Sequence, residues 1–472
     1  MYKLLLCWRY LKTRYLAMAC IISVMLGVAT LIVVNSVMSG FSTKLRERLH
    51  GLLSDVVIEA YGMEGFDDPR GKMERIRRHP FLGPRVEAMA STFEGFALLQ
   101  YEHLNGETFT RPVRLIGVNP GERALVGGFK EYLVNDANKV NPTFDLPEDL
   151  RRRFQEIEEG DLVKENIAAV LSNPGDIPPP QPPPREIKIP QGVIVGNLIA
   201  CIRIELTGLP NQFEDRYVIA KGDSIKLITL SGQRMAPVQD RLVVVDYFKS
   251  EMSDYDSNYV FVPLDYLQHL RTTGDRVTSI QIKLKDYDTD AAEVLQVLKE
   301  LFQGDHVAVQ TWEGKQGALL AAINIEKGIL NVLLFLIIAV AGFGILAIFS
   351  MIVTEKTRDI GILKALGASN GGVMKIFLSY GLLLGAVGAG LGSVLGVTLT
   401  QNINAVEHWL GELTGKKIFD PKVYYFTEIP TDIQAGTVFL VNVGAVLIAV
   451  LFSVLPAFRA AMLHPVRALR YE

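Results

Sequence analysis

Residues 328–354 read GILNVLLFLIIAVAGFGILAIFSMIVT, and residues 355–369, which follow directly, read EKTRDIGILKALGAS. The first stretch contains no Asp, Glu, Lys, Arg or His, and it exceeds the roughly 20 residues a helix needs to cross a bilayer. Buried helices of a soluble core rarely stay apolar beyond about 14 residues. Three further uncharged runs of this kind occur: Tyr15 to Thr43, Ile376 to Ala405 and Ile433 to Phe458. The expected fold is therefore a membrane protein with four transmembrane α-helices and, between helices 1 and 2, a large α+β extracytoplasmic domain.

The first run follows Lys3, Arg9, Lys12 and Arg14 in the manner of a signal peptide. Its apolar part is longer than the 7–15 residues of a signal h-region and no A-x-A site follows, so a retained anchor is expected. Orientation follows from the basic residues: those four, then Lys356, Arg358, Lys364 and Lys375, then Arg459, Arg467 and Arg470 mark three cytoplasmic segments. The resulting order is a cytoplasmic segment 1–14, helix 15–43, an extracytoplasmic domain 44–327, helix 328–354, a cytoplasmic loop 355–375, helix 376–405, an extracytoplasmic loop 406–432, helix 433–458 and a cytoplasmic tail 459–472. Both termini are expected in the cytoplasm.

Composition agrees with this reading. With 48 Lys+Arg against 51 Asp+Glu the net charge is −3, which gives no footprint for nucleic acid. Hydrophobic residues make up 49% and the mean hydropathy is +0.23, too apolar for disorder. Cys7, Cys20 and Cys201 lie far apart, matching neither a zinc site nor a disulfide framework.

Within 44–327, alternating runs at Val56–Ile58, Val113–Ile116, Gly192–Val195, Ser224–Ile228, Arg241–Val245 and Ser279–Leu284 predict strands, and Ala291 to Phe302 predicts a helix. Two subdomains are expected. Residues 174–190 hold eight prolines, which predicts an extended polyproline spacer, and the Arg- and Glu-dense stretch Pro147 to Gly160 predicts a solvated helix. Both are assigned to an insertion at 123–190.

Signatures of catalysis are weak. The sequence has neither a G-x-x-x-x-G-K-[ST] loop nor an H-E-x-x-H pair. Gly367-Ala368-Ser369-Asn370-Gly371 fits G-x-S-x-G, but a nucleophile elbow needs a strand before it, and here an amphipathic charged segment precedes it. Glu251, Asp254 and Asp256 lack the spacing of a calcium loop. More telling is the segment after the second run, where Ile360, Leu363 and Leu366 recur at helical spacing with charges on the other faces. It predicts a short helix stopped by Gly367, whose apolar stripe must be covered by lipid or by a partner. In the third run Gly381, Gly385, Gly388, Gly392 and Gly396 form a small-residue ridge for helix–helix contact, either within the chain or between chains.

The order of spans, the segment Glu355 to Ser369 and the ending from Pro456 to Glu472 resemble the type VII ABC-transporter permeases, which include macrolide exporters, cell-division permeases and lipoprotein-releasing permeases. Val37-Met38-Ser39-Gly40-Phe41, Leu115 to Pro120, Phe248 to Ser257 and Val423-Tyr424-Tyr425 are similar to the lipoprotein-releasing (Lol) branch. Two departures stand out: 123–190 is longer than in that branch, and Leu230 to Asp240 is short where some members carry a hairpin that hooks a soluble carrier.

The resemblance implies a non-catalytic subunit that binds no cofactor itself, ATP and magnesium being held by a partner ABC ATPase dimer. It implies coupling to that ATPase through Glu355, Lys356, Arg358, Asp359, Ile360, Leu363, Lys364, Leu366 and Gly367, with a stalk helix at 312–327 carrying the motion outward. It further implies a second permease subunit, identical or paralogous, and a lipoprotein cargo in the membrane. The acyl chains would enter beside Val33, Val37, Met38 and Phe41 of span one and Leu330, Leu333, Leu334 and Ile337 of span two. A periplasmic lipoprotein carrier is a further partner of the branch. Two alternatives remain open, a macrolide- or peptide-exporting permease and a signalling permease that activates a cell-wall hydrolase. In a chain freed of its native cysteines, a cysteine at Gly175 is expected to react with an impermeant reagent from outside, and one at Ser369 only after permeabilisation. Reaction at 369 in intact spheroplasts would overturn the orientation.

Overall fold

A computed structural model describes residues 15–102, 108–156, 190–205, 213–232, 236–414 and 428–466. The basic residues before Tyr15, the proline run, Val423 to Tyr425, Arg467 and Arg470 lie outside the described residues. The chain divides into two compact units, Met1–Arg46 with Ala318–Glu472, and Glu47–Gly317. The principal helices in chain order are α1 (Tyr15–Leu52), α2 (Pro69–Arg78), α3 (Tyr287–Leu301), α4 (Gly317–Glu355), α5 (Thr357–Ala365), α6 (Asn370–Gln401), α7 (Ile403–Thr414) and α8 (Ala435–Ala461).

Four of these, α1, α4, α6 and α8, are long and apolar enough to cross a membrane. Their limits differ from those of the uncharged runs. α1 continues past Thr43 to Leu52 and α4 starts at Gly317, because a charged residue ends an apolar run without ending a helix. The stalk expected as one helix over 312–327 is broken at Gln316. Thr311 caps a separate turn, Trp312–Lys315, by accepting from the Gly314 N–H at 3.2 Å. The third run is also broken: α6 stops at Asn402, whose side chain turns back to the Thr398 carbonyl at 2.9 Å, and α7 begins beyond it.

The glycine ridge of α6 packs inside the chain. A methyl group on Gly385 would lie 2.7 Å from Ala449 Cβ of α8, and Gly381 faces Ser453 of the same helix. Farther along, Gly388, Gly392 and Gly396 face α1: a methyl group on Gly392 would lie 2.7 Å from the Met25 carbonyl oxygen, and one on Gly396 3.0 Å from Ile32 Cβ. Two helices thus approach one helix through different parts of a single ridge. Ile345 and Phe349 of α4 complete this core with Val24, Val28, Ile32, Leu384 and Ala449. Asn442 of α8 donates to Ser393 Oγ of α6 at 2.6 Å, so its amide is satisfied among apolar neighbours.

The Glu47–Gly317 unit is built on strands β1 (Val56–Ala60), β2 (Val86–Glu102), β3 (Thr108–Val118), β4 (Gln191–Gly196), β5 (Cys201–Glu205), β6 (Phe213–Tyr217), β7 (Ser224–Leu230), β8 (Pro237–Phe248), β9 (Tyr259–Pro263), β10 (Ser279–Leu284) and β11 (Val307–Thr311). Nine of them form one sheet in the order β11-β1-β10-β2-β3-β9-β4-β8-β7, and β7 pairs back onto β2. That last pairing closes six strands into a barrel, whose interior is filled by every second residue: Leu99, Val113, Leu115, Val193, Val195, Leu227, Val244 and Val260. The remaining strands β11-β1-β10 extend from the near half of β2 as an open sheet. Met73 and Ile76 of α2 and Val294 and Leu298 of α3 cover it. The two expected subdomains therefore share β2, a 17-residue strand with no clean alternation in sequence.

Part of the segment assigned to an insertion belongs to the core. Phe129, Leu133, Phe144 and Leu146 are buried, and Phe129 stacks on Phe248 at 5.9 Å. Residues 148–156 are helical, with an exposed Glu148–Arg152 pair at 2.9 Å. We expect Gly392→Ala to lower thermal stability of the purified chain by about 1–3 kcal/mol, because a backbone oxygen blocks the new methyl group. Gly390→Ala, with nothing within 4 Å, is the neutral or slightly stabilising control in the same melting experiment.

Candidate functional site

The segment between α4 and α6 is built from local signals. α4 gives way at Lys356, and Thr357 turns its hydroxyl back to the Val353 and Thr354 carbonyls at 3.1 and 2.8 Å. Lys356 pairs with Asp359 at 2.6 Å across the first turn of α5. At the far end Gly367 takes a φ of +93°, and the Ala368 N–H reaches the Leu363 carbonyl at 3.0 Å, a closure that needs a left-handed residue after the helix. Ser369 then caps α6 by accepting from the Gly372 N–H at 3.1 Å. The G-x-S-x-G match is thus a turn between two helices, and its serine is a helix cap.

The stripe expected along Ile360, Leu363 and Leu366 is divided between two faces. Ile360 is 3% exposed and packs with Val353, Val373 and Ala460, while Thr357 and Gly361 are buried beside it. Lys364 lies on the same inner face and donates to the Ala461 and Leu463 carbonyls at 2.7 and 2.6 Å, tying α5 to the end of α8. On the outer face Ile362, Leu363 and Leu366 are 44%, 46% and 81% exposed, with the exposed Arg358 and Asp359 alongside. Glu355 ends α4 and is exposed. The result is an apolar tip on a helix anchored at its back, suited to insertion into a complementary hollow. Sequence periodicity did not single out Ile362. Nor did it show the anchoring role of Lys364, because the carbonyls it meets are 97 and 99 residues away.

The residues expected at a cargo entrance fall in a different place. Val33, Val37, Met38 and Phe41 are half-buried on α1. On α4, Leu330 is half-buried, Leu333 and Ile337 are exposed, and Leu334 is 5% exposed. α1 and α4 meet in the core through Cys20–Ile32 and Ile345–Ile352, and none of these eight residues belongs to that core. Beside them a polar clamp went unforeseen: Ser39 donates to Asp432 at 3.1 Å, the Asp432 N–H reaches the Ser36 carbonyl at 2.9 Å, and Gly40 sits against Pro430. Among the described residues no group of three His, Cys, Asp or Glu side chains is placed to hold a metal ion. Asp256, one of the acidic residues weighed for calcium, accepts from the Ser250 N–H and hydroxyl and from the Glu251 N–H at 2.7–3.1 Å.

The FtsX-like permease C-terminal family matches residues 331–465, which hold the α5 site and the helices around it. Along almost its whole length the chain is similar to the lipoprotein-releasing system transmembrane protein LolC of Xylella fastidiosa, 26% identical over 98% of this chain and 97% of that one. The lipoprotein-releasing system transmembrane protein LolE of Haemophilus influenzae is 31% identical over 45% of this chain and 51% of its own length. The macrolide export ATP-binding/permease protein MacB of Bdellovibrio bacteriovorus is 31% identical over 45% of this chain and 31% of its own length.

Four apolar helices lie in the chain with a β-rich unit between the first two and a short helix between the second and third, and residues 331–465 of this arrangement carry an FtsX-like permease domain. The likeness to LolC runs from end to end, while the likeness to MacB is partial.

The division of α5 into two faces gives a test. At Ile360, Asp would have to be buried, and keeping it protonated at pH 7 costs about 4 kcal/mol. Ile360→Asp is expected to reduce the yield of folded protein sharply, while Leu363→Asp leaves the melting curve of the isolated chain within about 0.5 kcal/mol of wild type. Equal losses for the two would mean that both faces are packed within the chain.

Proposed function

We propose that the chain is the membrane subunit of a transporter that uses ATP hydrolysis by a separate ATPase to release lipoproteins from the outer leaflet of the inner membrane. The observation that carries the coupling half of this reading is the apolar tip of Ile362, Leu363 and Leu366 on a helix fixed from behind by Lys364. Such a tip transmits displacement because it cannot yield independently of α6 and α8. In this reading α5 and both termini face the cytoplasm, a dimeric ABC ATPase binds ATP and magnesium and receives α5, and the Glu47–Gly317 unit lies on the other side of the membrane. A second permease, identical or paralogous, completes the transporter.

The cargo half rests on the similarity to LolC over nearly the full length. Its physical logic is the cost of extraction. At about 0.8 kcal/mol per CH₂, removing even one long acyl chain into water costs on the order of 10 kcal/mol, so release must be driven. The exposed Leu333 and Ile337 of α4 and the half-buried Val33, Val37, Met38 and Phe41 of α1 are the wall we assign to the lipid tails.

Two measurements test the two halves. Leu366→Asp, and independently Leu363→Asp, should insert normally and lose co-purification with the ATPase, the apolar tip being worth several kcal/mol once desolvated. Undiminished co-purification and activity would make α5 a mere connector. A photo-crosslinker at Met38 or Leu333 should capture lipoprotein without ATP and lose it when ATP is added. Adducts only with phospholipid or with the partner permease would favour an exporting or signalling permease.

A further inference from the structure

Within the Glu47–Gly317 unit, the last turn of α1 and the segment that leads into α4 meet at one side chain. Asp55 is fully buried. Its Oδ1 lies 2.6 Å from His50 Nε2, on the final turn of α1. Its Oδ2 accepts the Leu284 N–H at 2.7 Å, and Lys283 Nζ lies 3.4 Å from Oδ1, both at the end of β10. Its backbone carbonyl accepts the Trp312 N–H at 3.1 Å. The His50 ring in turn stacks on Trp312, centroids 5.2 Å apart and 15° from parallel, and packs against Tyr287 at 5.1 Å.

Flanking contacts make both ends rigid. Arg48 pairs with Glu251 through side chain and carbonyl, and Leu49 and Leu52 are buried. On the other side Lys315 pairs with Glu59, and Gln316 donates to the Tyr255 hydroxyl at 3.2 Å. Burial alone would push the Asp55 carboxyl up. Hydrogen bonds from His50 and the Leu284 N–H, with the charge of Lys283, outweigh that and hold it below the usual carboxylate range. The carboxylate is therefore ionised at neutral pH.

From this geometry we infer that Asp55, His50 and Trp312 form a mechanical joint that locks the exit of the first span and the approach to the second onto β10, so that the two helices move the β-rich unit as one body. The inference deepens the proposed function and rests on it for the source of motion. A buried carboxylate with several donors also stabilises any fold, so the joint is distinguished by what it transmits. Asp55 and His50 act as positioning residues. Each is expected to leave ATP turnover intact while breaking its connection to movement.

The test uses the full chain with its ATPase in lipid nanodiscs, carrying Asp55→Asn or, as the milder variant that spares the buried carboxylate, His50→Gln. Arg276→Gln serves as a control, since it breaks an exposed pair with Asp67 on the same unit and touches neither Asp55 nor either helix connection. Three quantities are read: ATP hydrolysis, lipoprotein released per ATP, and the ATP-dependent signal of a fluorophore on a cysteine replacing Val140, a residue 85% exposed on the β-rich unit. The joint predicts that either joint variant hydrolyses ATP within about two-fold of wild type, while release per ATP and the fluorophore signal fall about ten-fold or more; Arg276→Gln retains both. A fluorophore signal undiminished in His50→Gln would overturn the inference, as would hydrolysis and signal falling in parallel in both joint variants. If the wild type gives the signal and releases no lipoprotein, the cargo assignment fails. The joint is then still judged by whether the variants lose the signal.

Discussion

The membrane part of this chain depends on how closely backbones approach along α6. In a hydrocarbon solvent apolar side chains gain nothing by leaving lipid for one another, so helix association rests on close van der Waals contact and on a few internal hydrogen bonds. Gly381 and Gly385 admit α8, and Gly388, Gly392 and Gly396 admit α1, so one helix holds two neighbours without a large side chain at either contact. Everything presented at the ends of these helices inherits its position from that ridge, including the α5 tip behind which α8 ends.

That inheritance explains how a nine-residue helix keeps a fixed position. An isolated helix of that length is marginal in water, and α5 is maintained by its context. Gly367 closes it, Ile360 buries it, and the Lys364 ammonium fixes it to the carbonyl of Ala461, the last residue of α8, and to that of Leu463 just beyond, where a cation is favoured by the helix dipole as well. The outward side chains are then free to be apolar, since the fold does not need them.

The β-rich unit solves a different problem, that of joining two packing arrangements. β2 is long enough to supply an edge to an open sheet with its first half and a stave to a barrel with its second, so the two cores are continuous through one strand. The unit's connections to α1 and α4 lie on the open-sheet side, where Asp55 follows α1 and Trp312 follows β11. The open sheet and the barrel are therefore tied by covalent and ladder bonds of β2, which are stiffer than a packed interface between separate domains.

Sequence alone determined the number and rough position of the apolar helices, because lack of charge over more than 20 residues is a local property with a single physical consequence in a bilayer. It also determined α5, through the Ile360 spacing and Gly367, and six of the strands, through alternation. Helix ends were less legible: the charges at Lys44 to Arg48 and Glu326–Lys327 end hydropathy runs while the helices continue through them. β2 was missed because Ala, Gly and Ser interrupt its pattern, and because its two halves bury opposite kinds of neighbour. Only the tertiary structure decided which residues of α5 face outward, that the glycine ridge is satisfied within the chain, that Leu334 is buried, and that Asp55 joins His50 to Trp312 across 262 positions. Each of these depends on partners remote in sequence. Periodicity reports that a face must be covered, and the identity of what covers it is set when distant segments are packed together.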